Sequence, residues 1–88
     1  MAIVTLTWNA NTETDLASYK VYRNGVLLAT VLKGTTSFVD AAPIEGTDTY
    51  NLTAVDTSGN ESAHSVNVSV TVNTVPPQAP TGLIVVVT

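Results

Sequence analysis

Residues 65–73 read SVNVSVTVN. Val66, Val68, Val70 and Val72 alternate with Asn67, Ser69 and Thr71, the two-residue period of a strand that is apolar on one face only. Valine and threonine suit a pleated strand, because two heavy atoms on Cβ pack well there. An amphipathic helix would need apolar residues three and four apart, and no stretch of the chain keeps that spacing. The expectation from this stretch is an all-β protein.

The same alternation recurs on the N-terminal side. IVTLTW, residues 3–8, places Val4, Leu6 and Trp8 on one face and Thr5 and Thr7 on the other. SYKVYRNG, residues 18–25, sets Tyr19 and Val21 against Lys20 and Tyr22, and Asn24-Gly25 is a strong hairpin signal because both residues tolerate positive φ. VLLATVL (26–32) and TSFVD (36–40) read as short strands, and TYNLTAVD (49–56) turns Tyr50, Leu52 and Ala54 one way. NANTETDLA, AAPIEGTD and TSGNESAH are polar connections between them. On the C-terminal side a proline-marked linker, TVPPQAP (74–80), leads into TGLIVVVT (81–88). Seven short strands separated by turn signals predict a seven-stranded antiparallel β-sandwich.

Composition bounds the function. Eighty-eight residues, 44% of them hydrophobic, make one small domain with a core. Net charge is −4, and Lys20, Arg23 and Lys33 are the only basic side chains. Nucleic-acid binding needs clustered cations and is not expected, nor is attachment to an anionic membrane surface. With no cysteine, disulfides, thiolate metal sites and thiol nucleophiles are excluded. No segment has the length of a membrane-spanning helix. MAIVTLTW has no charged leader region and does not read as a signal peptide.

These residues together resemble the fibronectin type III domain, in its bacterial form. VTLTWNA is similar to strand B with Trp8 as the core tryptophan, and DLASYKVYRNG to strand C and its turn. TSFVD resembles strand E, NLTAVDTSGNES strand F and the F–G loop, and SVNVSVTV strand G. Tyr50 and Ile44 have the spacing of the family's corner between strands E and F. There the resemblance implies a tyrosine bonded to the loop backbone and an aliphatic residue packed beneath it. It also implies an immunoglobulin-like sandwich in an extracellular protein, secreted or surface-associated, often a bacterial polysaccharide-degrading enzyme or a cell or phage surface component.

The order departs from the family. The segment resembling the lead-in and strand A comes last, so the strands run B-C-C′-E-F-G-A. Three parts are expected: a sandwich over 1–73, a linker over 74–80, and strand A over 81–88. Strand A would have to return along the sandwich, where an eight-residue strand spans about 26 Å. Seven linker residues reach about 22 Å in polyproline geometry, and prolines resist a sharp reversal. The expectation is therefore that Leu83, Ile84, Val85, Val86 and Val87 are donated to a neighbouring molecule, beside its Val4, Leu6 and Trp8. Burying Leu83, Val85 and Val87 would contribute roughly 1.5–3 kcal/mol each. The contact is head to tail, so open chains of subunits are its natural product. An undocked tail and a circularly permuted monomer remain open as alternatives.

Chemistry is sparse. His64 is the single histidine and has no evident Ser/Asp partners for a triad, so a solvated loop histidine is expected. DTSGNE, residues 56–61, is too short for an EF-hand loop and reads as a tight turn. TETD, residues 12–15, reads as a cap or loop. No catalytic residue, cofactor site or metal site is expected. Asn51, Asn60 and Asn67 open N-x-S/T triplets, which arise readily by chance in such a composition. Tyr22 points outward and could stack on a sugar or a partner, although glycan platforms usually need several aromatics. The expected function is a non-enzymatic spacer module that self-assembles by strand exchange. The alternative is a glycan- or protein-binding accessory module.

Overall fold

Asn24 and Gly25 take φ of 53° and 80°, the paired positive values of a type I′ turn. That turn joins β2 (Leu16–Arg23) to β3 (Val26–Leu32). The other strands are β1 (Val4–Thr7), β4 (Ser37–Asp40), β5 (Gly46–Asp56) and β6 (Val68–Val72). The computed structural model describes residues 2–88; Met1, counted in the expected sandwich, lies outside the described residues. The strands form two antiparallel sheets, one ordered β3-β2-β5-β6 and one a β1-β4 pair.

The two sheets enclose a small core. Leu16, Tyr19 and Val21 of β2, Tyr50 of β5 and Val72 of β6 are buried. Trp8 meets Tyr19 edge to face, with ring centroids 5.5 Å apart, an arrangement favoured by the ring quadrupoles. The Tyr19 hydroxyl accepts the Asn11 N–H at 2.8 Å and so pins the loop after β1. Val4, Leu6 and Trp8 are half-buried, while Thr5 and Thr7 are exposed, as their alternation predicts.

The expected corner differs in detail. Tyr50 donates to the Asp40 carboxylate at 2.6 Å, and not to the loop backbone. Asp40 in turn accepts the Ala42 N–H at 3.1 Å, so the carboxylate relays the bond to the loop. Ile44 is half exposed. Arg23 completes the cluster, donating to Asp40 at 2.8 Å and to the Ala42 carbonyl at 3.2 Å. Burial pushes the Asp40 carboxyl up, but the bonds from Tyr50, Arg23 and Ala42 outweigh it and hold the group below its ordinary value. Burial raises the Tyr50 hydroxyl well above its ordinary value, and its bond to Asp40 adds to the shift.

Six strands pair among the described residues; the expected seventh, residues 81–88, has no regular structure and no partner strand. Residues 73–88 are exposed throughout. The molecule is 81 Å long and only 20 by 16 Å across, with a radius of gyration of 20.3 Å, against about 12 Å for a compact chain of this size. The linker and the apolar segment extend away from the sandwich. Val66 falls outside β6, and the β6 valines expected to face a core are uncovered to different degrees. Val66 is 82% exposed, Val68 58%, Val70 37% and Val72 5%. The two-stranded sheet opposite is too narrow to cover them.

Candidate functional site

The open side of the sandwich lies between β1 and β6. In the antiparallel β1–β4 register, Val4 faces Asp40 and Leu6 faces Phe38. Trp8 N–H donates to the Thr36 carbonyl at 3.0 Å, in the same phase. Val4, Leu6 and Trp8 therefore direct their backbone groups to β4, and alternation turns those of Thr5 and Thr7 to the opposite edge. No strand among the described residues pairs along that edge.

Beside it runs a hollow lined by Trp8, Tyr19, Leu52, Ala63, Val66 and Val68. The Trp8 indole N–H is buried without an acceptor among the described residues, a costly condition for a donor. At the other pole, Ala2, Pro43, Val72 and Thr74 line a second, smaller hollow. There Glu45 accepts the Thr74 N–H at 2.9 Å and the Thr74 hydroxyl at 2.8 Å. Those bonds, side chain first, draw the Glu45 carboxyl below its ordinary value. They fix the point at which the linker leaves the sandwich. Beyond it, Leu83, Ile84, Val85, Val86 and Val87 are all exposed, Leu83 to 94%.

A second cluster covers the outer face of the four-stranded sheet. The Tyr22 hydroxyl donates to Glu61, which also accepts the Thr53 hydroxyl at 2.7 Å and lies 3.4 Å from Lys20 Nζ. The bonds from Tyr22 and Thr53 hold the Glu61 carboxyl at about 2, well below the usual carboxylate range; the same hydrogen bond raises the Tyr22 hydroxyl in return. His64 is exposed but packs on the Tyr22 ring, centroids 4.6 Å apart, and its Nδ1 lies 2.8 Å from Asn51 Oδ1. Tyr22 thus lies outward as expected, with one part of its ring and its hydroxyl already engaged.

Residues 61–67 explain how that cluster is held. Their contacts repeat every three residues, as in polyproline II geometry, and not every two. Glu61, His64 and Asn67 lie over the outer face, Asn67 accepting from Asn51 at 2.9 Å. Ser62 and Ser65 face the edge of β5. Their N–H groups donate to Ala54 and Leu52 carbonyls, both at 2.8 Å, and their hydroxyls accept the Ala54 and Leu52 N–H groups at 2.8 and 2.9 Å. Serine hydroxyls stand in for the carbonyls of a regular ladder. The serines three apart, followed by the strict valine alternation, carry this change of period in the sequence. The Glu61 hub has no comparable local signal, because its partners come from two other strands.

The turn at 56–61 is built by Asp56, whose carboxylate accepts N–H groups of Ser58 and Asn60 at 2.9 and 2.8 Å and the Asn60 side-chain amide at 3.0 Å. The Asn60 bonds, side chain first, lower its carboxyl. Among the described residues no three His, Asp or Glu side chains converge to hold a metal ion.

Comparison with solved structures places the fold. Fibronectin(III)-like modules of Clostridium thermocellum CbhA superpose with a TM-score of 0.68 over 81% of this chain and 78% of theirs, at 14% identity. The chain has the fibronectin type III-like fold. The Clostridium perfringens spore cortex lytic enzyme SleM matches equally, TM-score 0.68 at 23% identity, over 78% of this module and 24% of the SleM chain. In sequence the module is similar to three bacterial chitinases. It is 44% identical over 69 residues to chitinase Chi52 of Paenibacillus xylanexedens, a match covering 77% of the module. It is 42% identical over 72 residues to chitinase D of Niallia circulans, covering 81% of the module. With chitinase A1 of the same organism it shares 39% identity over 87 residues, covering 91% of the module. The module spans only 13%, 14% and 12% of those chitinases' lengths. No family model matches the chain.

Proposed function

We propose that this module is a non-catalytic spacer of an extracellular protein that acts on a polysaccharide or a cell wall, and that it joins copies of itself head to tail. The spacer reading rests on the fold, on the similarity to about an eighth of each chitinase, and on the likeness to a part of a spore cortex lytic enzyme. One small fold repeated beside larger catalytic units separates them in space and needs no chemistry of its own.

Assembly is supported by one pairing of features above all: an apolar segment, residues 83–87, lying wholly exposed, and an unpaired β1 edge over an uncovered apolar face in the same chain. Each is a liability alone. Glu45 anchors the linker at the Ala2 pole, and the exposed residues beyond it are free to meet a neighbour's β1. Where the segment is followed by further sequence in one polypeptide, the same contact joins consecutive repeats.

Size-exclusion chromatography with light scattering tests this reading. The expected mass rises with concentration, and removal of residues 81–88 returns it to a single module. A concentration-independent monomer with the full segment present contradicts assembly. Release of reducing sugar from chitin by the isolated module would contradict the non-catalytic part.

A further inference from the structure

The geometry of the open edge also sets how the donated segment lies, an inference that rests on the strand-donation reading. We infer that it runs antiparallel to β1, with Leu83 beside Trp8, Val85 beside Leu6 and Val87 beside Val4.

The face comes from matching side chains. The core face of β1 offers three positions, Val4, Leu6 and Trp8. Leu83, Val85 and Val87 are three apolar residues at alternate positions. The other face of the segment offers Ile84 and Val86 flanked by Gly82 and Thr88, which would set a glycine or a threonine against the core. A slip of one residue exchanges the faces; a slip of two leaves one core position of β1 without an apolar neighbour.

Direction comes from the shape of the hollow. Exposure falls from 82% at Val66, just before β6, through 58% at Val68 and 37% at Val70 to 5% at Val72, so the space is open at the Trp8 end and closed toward Ala2. Leu83, the largest of the three inward side chains, fits the open end, and Val87 the closed one. Antiparallel entry also brings the proline-rich lead-in past Trp8. Pro76, Pro77 and Pro80 have no N–H groups, so the lead-in adds few unpaired donors beside that end of the sandwich.

In this register Ile84 faces Thr7 and Val86 faces Thr5, the two β1 residues whose backbone groups point to the free edge; these become the hydrogen-bonded pairs. Val87 with Val4 becomes a non-hydrogen-bonded pair, whose Cα atoms lie about 4.5 Å apart, within disulfide range.

The chain has no cysteine, so paired substitutions report the register directly. The test oxidises three double variants of the full chain: Val4→Cys with Val87→Cys, with Val85→Cys, and with Leu83→Cys. Each is run on a non-reducing gel and by light scattering before oxidation. The inferred register predicts a ladder of disulfide-linked multimers from the first variant only. Multimers from the second indicate a two-residue slip, and from the third a parallel strand; either overturns the register while leaving donation intact. Disulfide within a monomer overturns donation. Monomers without disulfide in all three variants, with unsubstituted chain also monomeric, overturn both.

Discussion

Tyr50 donates its hydroxyl proton to the Asp40 carboxylate across 2.6 Å, and the same oxygen receives Arg23 at 2.8 Å. This bond ties the last residue of β4, in the narrow sheet, to β5, in the wide one. Asp40 and Tyr50 are both buried, so the two sheets are joined by a polar clamp at the pole where the linker leaves. Removing the Tyr50 hydroxyl with Tyr50→Phe should cost about 1.5–3 kcal/mol, the range for a bond to a charged group. Asp40→Ala strands the Arg23 guanidinium as well and should cost about 3 kcal/mol or more. Urea unfolding of the two variants checks the order.

Acid should weaken the fold through carboxylates whose native pKa lies below the unfolded value. For such a group the stabilisation is present above the unfolded pKa and is lost as pH falls through the folded one. Glu61 moves from an ordinary 4.5 to about 2, and Asp40, Glu45 and Asp56 are lowered too. The urea midpoint should hold steady above about pH 5 and fall between about 4.5 and 2. Glu61→Gln, which cannot ionise, should show a shallower fall over that window.

The hairpin turn separates a backbone effect from a side-chain effect. Gly25 has φ +80° and open space where a Cβ would stand, so Gly25→Ala should cost about 1 kcal/mol from conformation alone. Asn24→Gly keeps the turn but loses the bonds from Thr49 N–H at 2.9 Å and to Asp48 at 3.2 Å. Asp48 is fully buried, and its other oxygen has no partner among the described residues. Asn24→Gly should therefore be the more damaging change, read by thermal unfolding.

Ser62→Ala and Ser65→Ala should each cost about 0.5–1.5 kcal/mol. The locus distinguishes them: hydrogen exchange should accelerate at Ala54 N–H in the first and Leu52 N–H in the second, with the β2–β3 hairpin amides unaffected.

Local pattern carried most of the architecture. β1, β2, β5 and β6 announce themselves by alternation, and Asn24-Gly25 by its tolerance of positive φ, because both signals depend only on neighbours along the chain. The long-range features were less legible. Glu61 reads as one more loop carboxylate until the register sets Tyr22 opposite Asn51 and brings Thr53 beside Lys20. The spacing of Ile44 and Tyr50 suggested a packed corner, whereas Asp40, ten residues before Tyr50, takes the hydroxyl. Val66 and Val68 have the alternation of a core strand, but alternation cannot reveal that the facing sheet is only two strands wide. Of the proposed assembly residues, the sequence marks the apolar segment and the β1 face; the open edge between them emerges only from the sheet order.

Amide hydrogen exchange of the full chain over a range of concentrations tests strand donation most directly. The account predicts that Thr5 and Thr7 on β1, and Ile84 and Val86 on the donated segment, gain protection together as concentration rises. Deleting residues 81–88 should abolish the protection of Thr5 and Thr7. Fast exchange of Ile84 and Val86 at every concentration, or protection independent of concentration, would contradict it.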